Sequence, residues 1–194
     1  RDGMLAVSGE LSLKMYGPGV QPELPPNFSA REAWKVSKDP AERNRRSVYI
    51  LSKRNLPYPL LDVFDFPDMH ESCAQRQETT IAPQALSLLS SRLLLGLAEN
   101  FAAKVIQEHP GAEMDVWIVQ AYRQALGRQP ETEEVQAARE FIALQQTEIA
   151  RHRAAGGPSL YPEKLPPVLE PAWIGGWVDF CHALLNSNEF LYID

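Results

Sequence analysis

A mainly α fold is what this sequence predicts: an irregular helical bundle with long proline-rich loops and at most a minor strand element. Three observations carry the prediction. Apolar residues recur at helical spacing through "TTIAPQALSLLSSRLLLGLAENFAAKVIQEHPG". Two further stretches, "EMDVWIVQAYRQALGR" and "PETEEVQAAREFIALQQTEIARHR", have helical patterns with matching ends. Only "RSVYILSK" carries a strand signal, through Val48, Tyr49 and Ile50, and one strand cannot make a sheet.

The opening "RDGMLAVSGELSLKM" reads as a helix with Met4, Leu5, Leu11 and Met15 as its apolar contacts. "YGPGVQPELPPNF" and "GGPSLYPEKLPPVLEP" are loops, because proline removes an amide donor and fixes φ. The long helix after the acid-rich segment is expected to be capped by Thr79 or Thr80, with Pro83 tolerated in its first turn. Its apolar face is Ala85, Leu88, Leu89, Leu93, Leu97, Phe101, Val105 and Ile106, and Pro110-Gly111 ends it. The next helix puts Trp117, Ile118, Ala121, Tyr122, Ala125 and Leu126 on one side and stops at Gly127. The third begins with acids and ends with bases, as the helix dipole favours. "WIGGWVDFCHALLNSNEF" is a closing helix, ragged at Gly175-Gly176. The facing helices are expected to bury Leu88, Leu89, Trp117, Tyr122, Phe141, Trp177 and Leu184.

With 194 residues and 44% hydrophobic content, the chain can bury a real core. It is read as a single helical domain, 1–194, with a proline-rich loop at 156–171 before the closing helix. Because it opens partway into a helix, it is expected to come from a longer protein and to be truncated at its N-terminus. The net charge of −6 argues against a general nucleic-acid binder, which needs a basic face to displace counterions. No apolar run approaches the ~20 residues that cross a bilayer.

The unusual stretch is "RNRRSVYILSKRNLPYPLLDVFDFPD". Arg45, Arg46, Lys53 and Arg54 flank a core-like segment, and Asp62, Asp65, Asp68 and Glu71 follow. Arginine forks pair with carboxylates and with phosphates. Two readings follow: a site for an external anion, or an internal clamp in which Arg45, Arg46 or Arg54 pairs with Asp65 or Asp68. The regularly spaced acids beside His70 suggest a hard cation, but they lack the EF-hand pattern, and no metal site is expected. Cys73, near His70 and Arg76, has no recognisable third catalytic group. No GxSxG, HExxH or GxxxxGK[ST] motif is present. Cys73 and Cys181 could form a disulfide in an oxidising compartment; two separate buried thiols are the other reading. Cys181-His182 lacks the second cysteine of a c-type haem attachment, since position 178 is Val178. Trp117, Trp173 and Trp177 read as core anchors, with one ring of the i, i+4 pair available to a sugar as the alternative.

The motifs "RRSVYILSKRNLPYPLLDVFDFPD", "ESCAQRQETTIAPQALSLLSS", "AYRQALGRQPETEEV" and "WVDFCHALLNSNEFLYID" occur in this order. The chain thereby resembles the planctomycete-specific C-terminal domain of unknown function (PSD) found in large exported proteins with c-type cytochrome (PSCyt) modules. The matching positions are Arg45, Arg46, Ser47, Tyr49, Lys53 and Arg54; Phe64, Asp65, Pro67 and Asp68; Cys73, Arg76, Thr80, Pro83, Gln84, Ala85 and Leu86; and Asn186, Asn188, Glu189 and Phe190. The resemblance implies a periplasmic or cell-surface location. It implies cytochrome c and other domains of the same polypeptide or operon as partners, with haem only in those neighbours. It implies no established activity. The expected function is a non-catalytic accessory or docking domain; the rival is a polysaccharide-binding or polysaccharide-processing module.

Overall fold

The computed structural model describes residues 1–25, 34–67, 72–75, 79, 81–157, 164–165 and 169–192. The helices are α1 (Asp2–Val7), α2 (Pro40–Arg43), α3 (Pro59–Val63), α4 (Ala82–Ser90), α5 (Arg92–Glu108), α6 (Met114–Leu126), α7 (Thr132–Ala154), α8 (Pro171–Leu185) and α9 (Asn188–Leu191). The chain is mainly helical, as its periodicity predicts. The chain divides into two compact units. One comprises Arg1–Leu5 and Glu10–Leu94, the other Ala6–Gly9 and Leu95–Asp194.

In the first unit, Leu24, Trp34, Leu56 and Tyr58 form a core, with Ile50, Leu60 and Leu61 packed against it. The Trp34 and Tyr58 rings stack with centroids 6.1 Å apart, and Trp34 Nε1 donates to the Pro22 carbonyl at 2.7 Å. The strand expected at Val48–Ile50 is a 3₁₀ turn over Ser47–Tyr49, followed by extended chain. That chain makes one parallel bridge: Val20 N donates to Tyr49 O at 2.7 Å and Leu51 N to Val20 O at 2.8 Å. The apolar run thus pairs with a single neighbouring residue, and the described residues contain only isolated bridges.

The opening helix is shorter than its sequence suggests. Gly9, at φ +76°, takes the left-handed position; its N–H donates to Ala6 O and that of Glu10 to Leu5 O, which ends the helix in a Schellman turn. Met4 and Leu5 are buried, while Leu11 is half-buried and Met15 exposed, because both lie beyond that stop.

The long helix predicted after Thr79 is two helices. Ser91, at φ −69° and ψ 125°, is extended and separates α4 from α5. An extended residue resets the helical phase, so the single apolar face does not continue through it. Leu88 is buried but Leu89 is 63% exposed, which corrects its placement in the core. Leu97, Phe101, Val105 and Ile106 of α5 are buried as expected. Ile81, not Thr79, is the residue before α4, and Gln84 Oε1 accepts its N–H at 3.2 Å. Thr80 lies outside the described residues.

The second unit is organised around α7 and α8. Gly175 and Gly176 do not fray α8; they let it approach α7. A β-carbon on Gly176 would lie 2.8 Å from the Ile142 carbonyl oxygen, and one on Gly175 would lie 2.7 Å from Ile149 Cδ1. Trp177, fully buried, donates from Nε1 to Ala102 O at 3.2 Å. Its ring lies 5.4 Å from Phe180 and 6.3 Å from Trp117, which lies 5.3 Å from Trp173. Trp117 and Trp177 are therefore core anchors, and Trp173 is half-buried beside Trp117. Leu184 is buried; Tyr122 and Phe141 are half-buried at its margin. Gly127, at φ +72°, ends α6 as predicted. Glu170 caps α8 through its carboxylate, accepting from Ala172 N at 3.0 Å and Trp173 N at 2.7 Å.

Candidate functional site

The basic segment Arg43–Arg54 is built into the first unit by two arginines. The Arg1 guanidinium donates to Arg43 O at 2.7 Å, Arg45 O at 2.9 Å and Ser47 Oγ at 3.2 Å. Its neighbour Asp2 accepts from Ser47 N at 2.8 Å and Ser47 Oγ at 2.6 Å. Burial opposes ionisation of Asp2, but the Ser47 hydrogen bonds and the Arg1 charge outweigh it and hold the carboxyl below its ordinary range.

Arg45 is the centre of the arrangement. Its side chain is wholly buried, an uncommon place for a guanidinium unless every donor is engaged. Nε donates to Lys14 O at 3.2 Å, Nη1 to Pro18 O at 3.1 Å and to Glu42 Oε2 at 3.3 Å, and Nη2 to Tyr16 O. Glu42 also accepts from Lys14, and that bond, with the Lys14 and Arg45 charges, holds its carboxyl below the usual range. On another side, Tyr49 accepts the Tyr16 N–H at its phenolic oxygen, 3.0 Å away. That hydrogen bond, then the Arg46 and Arg45 guanidiniums, lower the Tyr49 pKa against the effect of burial.

Arg45 therefore does not pair with Asp65, as the clamp reading had allowed. All its acceptors precede it in the chain, three of them backbone carbonyls of residues 14–18. Asp65 belongs to another junction. It sits at φ +58°, a conformation that short polar side chains tolerate, and its carboxylate accepts from Thr79 N and Thr79 Oγ1, both at 2.8 Å. Buried Gln84 completes it: Nε2 donates to Val63 O at 3.1 Å and Asp65 Oδ2 at 3.4 Å. This junction ties the end of α3 to Thr79 and to the first turn of α4.

The family is decided by the sequence match. A model of PSD1, described as a protein of unknown function (DUF1553), matches residues 1–142. The chain belongs to this family. No curated protein matches it significantly, and no solved structure does. The PSD1 match includes both junctions and ends within α7, so "WVDFCHALLNSNEFLYID" lies beyond the matched range.

The other predicted positions of this PSD1 chain are scattered. Arg46 is half-buried with its guanidinium 5.9 Å from the Tyr49 ring centre; Lys53 lies 5.9 Å from the Trp34 ring; Arg54 is exposed. Asp68 and Arg76 lie outside the described residues, as do His70 and Glu71. Cys73 is exposed, its thiol directed to Gln75 O at 3.2 Å, which corrects the reading of two buried thiols. Cys181 is buried, and burial pushes its pKa well up. Both are free thiols. Among the described residues no group of three or more His, Cys, Asp or Glu side chains is placed to hold a metal, and no helix is long and apolar enough to cross a membrane. Sequence reasoning missed Arg1, Asp2 and Glu42; it named Thr79 as a cap and Gln84 as a family position, but not their bonds to Asp65. It also missed Arg128, which pairs with Glu134 at 2.7 Å and Glu189 at 2.6 Å and so ties the start of α7 to α9.

Proposed function

We propose that this PSD1 chain is a non-catalytic accessory or docking domain of an exported protein that also carries c-type cytochrome modules. Export and the cytochrome neighbours come from the family resemblance, and haem in this reading belongs to the neighbours alone. The observation that carries the proposal is the commitment of Arg45. A wholly buried guanidinium that donates to three carbonyls and a carboxylate holds a scaffold together and lies out of reach of a substrate. The Asp65 carboxylate likewise orders Thr79 and Gln84 at the entry to a helix. Such groups shape a surface for a neighbouring module.

The test is calorimetric titration of the chain with the c-type cytochrome module encoded in the same polypeptide or operon. A saturable one-to-one complex supports docking. No heat and no co-elution on gel filtration would overturn it.

A further inference from the structure

No further inference is drawn: the strongest candidate, the exposed apolar surface patch that Leu86 and Leu89 form on α4 with Leu93 at the start of α5, carries nothing, because nothing in the structure shows what covers it.

Discussion

The Arg45 guanidinium carbon lies 3.8 Å from the centre of the Tyr49 ring. The phenol at the far end of that ring accepts the Tyr16 N–H, while the same guanidinium donates to the Tyr16 carbonyl. One arginine and one tyrosine, four residues apart, therefore grip both sides of a single residue in a distant loop. Cation–π contact and charge-assisted hydrogen bonds act together on one group. The basic segment is a clamp at Arg45, and it closes on backbone oxygens.

The close approach of α7 and α8 predicts a ranking among three glycines. Gly176→Ala drives a β-carbon against the Ile142 carbonyl, which is backbone and cannot step aside. It should destabilise by about 1–3 kcal/mol, the usual range for overpacking. Gly175→Ala meets only the end of the Ile149 side chain and should cost less. Gly96→Ala, in the interior of α5 with nothing within 4 Å, should stabilise by roughly 0.5–1 kcal/mol through helix propensity. Urea unfolding of the three variants checks the order.

Acid should loosen the attachment of α9. The Arg128 hydrogen bonds hold Glu134 down to about 2 and lower Glu189 as well. A depressed carboxylate contributes stability that is full above its unfolded pKa and is lost as pH falls through the folded one. For Glu134 the window runs from about 4.5 down to about 2. The urea midpoint of the unmodified chain should fall across this window. Arg128→Met, which keeps an apolar stem over Tyr122, should fall less; parallel curves for the two proteins would remove Arg128 from the account.

The two thiols should separate cleanly. Exposed Cys73 reacts with a disulfide reagent in the native chain, while Cys181 does so only after denaturation, because a buried thiol yields little thiolate. One fast equivalent, abolished by Cys73→Ser, is expected. Two fast equivalents would mean that Cys181 is open to solvent.

Elements with strong local signals were readable in the sequence. α6 and α7 follow their apolar spacing, and Gly127 stops α6 where expected. Gly9 carried a similar signal for the end of α1 that the longer apolar pattern obscured. The break at Ser91 had none beyond a Ser-Ser pair of modest helix formers, so one helix was expected where two form. The glycine pair of α8 was ambiguous, because frayed and tightly packed glycines look alike until the neighbouring helix is known. The segment that matters was visible as a basic cluster, but the partners of Arg45 were not. Three are carbonyls, which every residue carries, and Tyr16 gives no sign in the sequence that its φ is positive.

The most direct test of the clamp is the stability of Arg45→Met and Arg45→Lys against the unmodified chain, read by denaturant unfolding. Arg45→Met leaves three carbonyls without this donor, while Glu42 keeps Lys14 as a partner; an acceptor left unsatisfied in the interior costs about 1–3 kcal/mol. Lysine keeps the charge but not the fork, so it should restore only part of the loss. The account predicts that order, with amide exchange accelerated at residues 14–20 in both variants. An Arg45→Met chain that unfolds at the same denaturant concentration as the original, with unchanged exchange in that loop, would contradict it.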